Sequence, residues 1–131
     1  VLVPHAPCDA ADAHVFPYLE DEDPDGRVLY VTEGQLRALH RHSERADACG
    51  VPRRSFLRAD ARRLEPGELA EIVFDLLPIS WLFRPGHRLR LALAGADADH
   101  FARLERTPGW RIQRGGARAS HLELPVIGAA K

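Results

Sequence analysis

The run Asp21-Glu22-Asp23-Pro24-Asp25-Gly26 places three aspartates at alternate positions ahead of a glycine, the opening half of a calcium-binding loop. Alternate carboxylates can converge on a hard cation where a glycine permits the sharp turn. The closing half does not follow. Thr32 stands where a bidentate Glu belongs, Pro24 sits inside the loop, and the flanks have the pattern of strands. Asp21, Asp23 and Asp25 are thus the candidate metal ligands of a segment that reads first as a solvated acidic turn, and no cofactor is expected. His5, Cys8 and His14 offer nitrogen and sulfur donors for zinc, but their spacing matches no common structural site, and Pro4 and Pro7 interrupt it.

Nucleophilic chemistry fares no better. A serine hydrolase needs its serine on a strained strand-to-helix elbow, usually G-x-S-x-G, with a histidine and an acid in reach. Ser43, Ser55, Ser80 and Ser120 are the chain's serines, and none has glycines at that spacing. No self-contained triad is expected, so the isolated chain should be inert as a hydrolase. Trp81 and Trp110 are candidate stacking platforms for a sugar. Trp110 follows Thr107-Pro108-Gly109 and reads as the more exposed; Trp81 sits in an apolar run with Ile79, Leu82 and Phe83. Trp81, Leu82 and Phe83 supply more apolar surface than one connection needs and mark an interface. His40 and His42 end a strand and face solvent or a neighbouring domain.

The elements that must carry these residues are strands. Val15 to Glu20, Val28 to Thr32, Gln35 to His40, Leu69 to Leu77, His87 to Ala94 and His121 to Ile127 are separated by turn signals such as Pro24-Asp25-Gly26, Glu33-Gly34, Pro66-Gly67 and Pro85-Gly86. Leu89, Leu91 and Leu93 alternate with Arg88 and Arg90, the period of a sheet with one buried face. Ala70, Ile72, Phe74 and Leu76 likewise oppose Glu71 and Asp75, and Leu122, Leu124 and Val126 oppose His121 and Glu123. Helical signals are short: Ser55 to Leu64 offers a turn or two, and Asp97 is an N-cap ahead of a pattern reaching Arg106. This predicts an all-β sandwich in a single domain spanning residues 1–131. The connection from Arg41 to Glu65 carries Arg41, Arg45, Arg53, Arg54, Arg58, Arg62 and Arg63, and reads first as a solvated loop whose charges are offset by Glu44, Asp47, Asp60 and Glu65, with an interdomain docking loop as the alternative.

Composition sets the outer limits. The formal net charge of -1 gives no electrostatic reason to expect nucleic acid or an anionic membrane as a partner. No apolar run approaches the roughly 18 residues of a membrane span, and no signal peptide is visible. Cys8 and Cys49 are too few for a disulfide framework, which favours a cytoplasmic location. Val1-Leu2-Val3 reads as the interior of a strand without an initiator Met, so a piece of a longer protein is expected.

Several segments carry a family resemblance. Tyr18-Leu19-Glu20-Asp21 with Pro24-Asp25-Gly26-Arg27, Val31-Thr32-Glu33-Gly34 with Leu36-Arg37-Ala38, Pro66-Gly67-Glu68, Phe74-Asp75-Leu76-Leu77, Pro85-Gly86-His87-Arg88-Leu89 and Leu122-Glu123-Leu124-Pro125-Val126-Ile127 occur in the order of one family. Together they resemble the C-terminal domain of Xaa-Pro dipeptidyl-peptidases and cocaine-esterase-like hydrolases. His14 and Asp99 depart from it, standing where Asp and Pro are usual. The resemblance implies a galactose-binding-like jelly roll, short of its first strand or strands, appended to an α/β-hydrolase domain that carries the catalytic triad. It implies no catalytic residue here. The expected role is non-catalytic, stabilising the enzyme and shaping its substrate entrance; a carbohydrate-binding module is the alternative. Uncovered sheet edges would make the isolated chain self-associate.

Overall fold

A computed structural model describes residues 2–3, 5–43, 51–106 and 108–127. Cys49, Glu44, Arg45 and Asp47 lie outside the described residues. The described chain is mostly β with no α-helix: β1 (Leu2–Val3), β2 (His5–Pro7), β3 (His14–Glu22), β4 (Val28–Glu33), β5 (Leu36–Arg37), β6 (Leu69–Glu71), β7 (Arg88–Ala94) and β8 (His121–Leu122), with 3-10 turns at Ala38–His40 and Arg58–Asp60. Every pairing is antiparallel. β3 is the centre of a four-stranded sheet, with β4 and β5 along one edge and β7 along the other; β1–β8 and β2–β6 form two short ladders.

The β3–β7 register decides which side chains share a face. Pro17, Leu19 and Asp21 lie opposite Leu93, Leu91 and Leu89, while Glu20 and Glu22 lie opposite Arg90 and Arg88. The alternation of leucine and arginine in β7 thus meets a matching alternation in β3. Arg90 and Arg88 form ion pairs with Glu20 and Glu22, the former at 3.1 Å. Directly opposed, opposite charges of this kind fix register and stabilise by about 0.2–1 kcal/mol each. A register shift between Leu19 and Glu20 lets β4 bend along β3.

The core gathers Cys8, Ala10, Ala13, Val15, Leu36, Ala38, Leu64, Ile72 and Phe74, with Leu91, Trp110 and Leu122 packed against it. It therefore sits where β3 and β5 meet the segments around residues 8–13, 64 and 72–74. Backbone bonds from Leu64 to Ala11, Gly67 to Cys8 and Arg62 to Leu39 tie these together.

Several strands are shorter than their sequence pattern suggests. Leu69 to Leu77 pairs regularly only to Glu71, because the chain then drops beside β4. Leu77 N–H donates to Glu33 at 2.8 Å and Thr32 Oγ1 donates to the Leu77 carbonyl at 2.8 Å. Gly34 permits this approach, since a Cβ there would lie 2.6 Å from the Asp75 carbonyl oxygen. Gln35 to His40 becomes a two-residue strand and a 3-10 turn, and His121 to Ile127 pairs only through Leu122. Asp97 does cap, its Oδ1 accepting from the Asp99 and His100 amides, but only a turn follows. The arginine-rich connection is not simply solvated: Arg41 donates to the carbonyls of Ala38, Arg62 and Arg63, and Arg54 to that of Val73. These guanidiniums replace backbone partners that an irregular segment lacks.

Candidate functional site

Asp21 is the most informative side chain in the fold. It falls on the leucine face of β3, 2% exposed, where an ionised carboxylate needs partners. It finds them in the connection leading to β7. Trp81 Nε1–H donates to Oδ2 at 3.0 Å, and His87 Nδ1 shares a 2.9 Å hydrogen bond with Oδ1. Burial by itself would push this carboxyl up. The hydrogen bonds from Trp81 and His87, with the electrostatic pull of His87 and Arg84, outweigh that and hold it below its ordinary value. The acid therefore pins the Pro78–His87 segment onto the sheet.

The three aspartates of the acidic turn take separate places in the fold. Asp21 turns inward to Trp81 and His87. Asp23 Oδ1 accepts from the Asp25 and Arg27 amides, both at 2.9 Å, closing the β3–β4 turn, with Gly26 in the left-handed region at φ 82. Asp25 is exposed at the turn tip. Among the described residues no three His, Cys, Asp or Glu side chains are grouped to hold a metal. Cys8 is buried and its thiol is pushed up by that burial, which disfavours the thiolate a zinc site needs. His14 turns its ring edge to Phe16 at 5.6 Å.

The expected order of the tryptophans is reversed. Trp110 is half-buried against the core, its backbone bridged to Cys8, whereas Trp81 is 41% exposed. Burial of Trp110 follows from that bridge, which draws its loop onto the core. Leu82 is 78% exposed and Phe83 half-buried. Leu29 and Leu89 flank Asp21 across the sheet and are themselves exposed, so Trp81, held by its bond to Asp21, stands with them at one end of the leucine face.

The serines show no elbow geometry. Ser55 Oγ donates to Asp60 at 2.6 Å on the surface, and Ser80 is exposed in the segment beside Trp81. Ser120 N–H bonds the Gln113 carbonyl. A hollow of about 310 Å³ does bring Ser43, His42 and Glu71 to one rim. His42 and Ser43 are consecutive on an irregular segment and form no hydrogen bond with each other, so no nucleophile–base pair results.

Two arrangements escaped the sequence reading. Tyr18 Oη–H donates to Asp97 at 3.1 Å, joining β3 to the loop after β7; burial and this acceptor raise the phenol to about 12. An open hollow of about 370 Å³ is walled by His14, Phe16, Arg37, His40, Phe56 and Phe101. Periodicity places Tyr18 and Phe16 on one face of β3, but no local signal ties them to residues 80 positions on.

A family described as the X-Pro dipeptidyl-peptidase C-terminal non-catalytic domain matches residues 2–123. The chain belongs to this family. It is 52% identical over 122 residues to the "Putative serine esterase Mb1866c" of Mycobacterium bovis, covering 90% of this chain and 19% of that protein. The same figures hold for "Putative serine esterase MT1883" of Mycobacterium tuberculosis. It is 26% identical over 132 residues to the "Cocaine esterase" of a Rhodococcus species, covering 90% of this chain and 21% of that protein. No solved structure matches. The chain spans about a fifth of the length of these curated relatives. As a member of the C-terminal non-catalytic domain family, it accords with serines that lack elbow geometry.

Proposed function

We propose that this chain is the jelly-roll C-terminal domain of a larger serine hydrolase of the esterase kind. There it packs on an α/β-hydrolase catalytic domain, stabilises it and borders its substrate entrance. The observation that carries the reading is the set of exposed apolar side chains Trp81, Leu29 and Leu89 around Asp21, with exposed Leu82 next to Trp81 in sequence, on a non-catalytic domain whose relatives are about five times its length. An aromatic side chain held by a hydrogen bond to a buried carboxylate, yet 41% exposed, suits an interface anchor because little freedom is lost when it is covered. The esterase assignment follows the names of the relatives, and a dipeptidyl-peptidase activity has only the family description behind it.

The test is a pair of substitutions, Trp81→Ala and Leu82→Ser, in the full-length gene product. Domain docking should weaken by about 1–3 kcal/mol for Trp81→Ala, seen as inactivation at lower temperature with the turnover number of the surviving enzyme unchanged. Inactivation at the wild-type temperature in both variants would refute the docking role.

A further inference from the structure

We infer that the open hollow walled by His14, Phe16, Arg37, His40, Phe56 and Phe101 is a binding site for a small aromatic carboxylate. It lies on the face of β3 turned away from the core. His14 and Phe16 alternate with the core residue Val15, and His14 stands directly opposite Arg37 of β5, so register brings these three side chains to one side. Phe101 comes from the loop after β7 to lie on Phe16, ring centroids 5.0 Å apart. His40 and Phe56 supply a second ring pair at 5.5 Å.

Rings gathered for packing alone would close on one another. Here about 370 Å³ stays open beside them, and Phe56 and Phe101 remain 63% and 38% exposed. Phe56 is not loosely placed. It is the one non-glycine among the described residues in the left-handed region, at φ 54, a conformation costly for a bulky side chain. Ser55 holds the turn around it, its Oγ donating to Asp60 at 2.6 Å and accepting from the Leu57 amide at 3.1 Å.

The walls set the chemistry of the ligand. Phenyl and imidazole rings receive another flat ring best, and the volume is at the small end of the roughly 300–1,000 Å³ range of ligand pockets, enough for one or two rings. The charge comes from Arg37, because burial pushes His14 down and leaves its imidazole mostly uncharged at neutral pH. Asp12 Oδ2 accepts from Arg37 Nε at 2.7 Å, so the terminal guanidinium nitrogens stand outside that bond. The other Asp12 oxygen is taken up by the Ala13 and Leu39 amides at 2.9 and 3.3 Å. The terminal nitrogens form the planar pair that a carboxylate matches. A sugar would instead need acceptors for its hydroxyls, and Gln35 is the one amide or carboxylate side chain among the lining residues.

Isothermal titration calorimetry on the full-length gene product tests this, after treatment with a serine-directed fluorophosphonate so that a hydrolase centre takes up no ligand. Phenylacetate should bind. Phenylacetamide and hexanoate, which lack the charge and the ring respectively, should each bind about tenfold more weakly or not at all. Phe56→Ala and Arg37→Gln should each weaken phenylacetate about tenfold. Arg37 also pairs with Asp12, so melting temperatures are compared. Phe56 is exposed, and Phe56→Ala decides the matter if Arg37→Gln does not fold. No saturable heat from phenylacetate, or equal affinity in Phe56→Ala, would overturn the inference. So would phenylacetamide binding as well as phenylacetate, and so would methyl galactoside binding more tightly than either, since the hollow would then serve a sugar.

Discussion

Trp81 and Asp21 lie 60 positions apart and meet in a 3.0 Å hydrogen bond, an indole N–H donated to a carboxylate on the leucine face of β3. The bond does two things. It makes a buried acid tolerable, and it fixes an exposed aromatic ring at the end of the sheet where Leu29 and Leu89 also surface.

The acid limb of stability should report this carboxylate. Its folded pKa lies below the ordinary 3.8, so its contribution is complete above about pH 4 and is lost as the pH falls through the lower folded value. Asp97, also held low because bonds from His100, Tyr18 and the Asp99 and His100 amides outweigh burial, adds to the same limb. Urea melts at pH 3 and pH 7 should show Asp21→Asn losing less stability between the two than the wild type does. An identical loss would contradict the role given to Asp21.

Tyr18 should be the last tyrosine to ionise. Burial, then donation to Asp97, raises it to about 12. Because the folded value exceeds the ordinary 10, its contribution is complete below about pH 10 and is lost as the pH rises through about 12. Alkaline absorbance titration should show a tyrosinate step near pH 12 that disappears in Tyr18→Phe. A single step near pH 10 in the wild type would be the contrary result.

Core and surface should separate cleanly. Phe74 is 2% exposed in the centre of the cluster, and Phe74→Ala should cost about 3–5 kcal/mol. Leu82→Ala, at a position 78% exposed, should change the isolated chain's stability by no more than about 0.5 kcal/mol. Denaturant melts compare them directly, and a large loss for Leu82→Ala would place that side chain in the core.

Calcium should leave the melting temperature where it is. A ligand of the native state stabilises by RT ln(1 + [L]/Kd), so a true site would answer to millimolar calcium. Asp21 is committed to Trp81 and His87, and Asp23 to the turn amides. Melts in calcium and in chelator should coincide; a rise of several degrees that Asp23→Ala abolishes would restore the loop as a cation site.

The strands were legible where two alternating patterns meet. Leu89, Leu91 and Leu93 against Arg88 and Arg90 located β7 because side-chain direction has a period of two whatever the neighbours do. The mostly-β character followed from that, whereas the antiparallel pairing came only with the structure. Strand ends were not legible: Leu69 to Leu77 keeps its alternation past Glu71, yet a tertiary bond from Leu77 to Glu33 takes the chain out of the ladder. At the candidate site, Trp81 and Leu82 could be singled out as surplus apolar surface. The role of Asp21 was missed although its parity with Pro17 and Leu19 signals burial, because the acidic run after it reads as a turn. His87 and Trp81 become its partners only once Pro85-Gly86 folds the chain back, a three-dimensional relation without a local pattern.

Covalent labelling with a serine-directed fluorophosphonate tests the central claim most directly. The full-length gene product and residues 1–131 alone are treated in parallel, and the modified residue is located by mass spectrometry. A non-catalytic C-terminal domain of a serine hydrolase predicts one rapidly labelled serine outside residues 1–131 in the full-length product, and no labelling of the isolated chain. Rapid labelling of Ser43, Ser55, Ser80 or Ser120, or a full-length product that takes up no label, would contradict it.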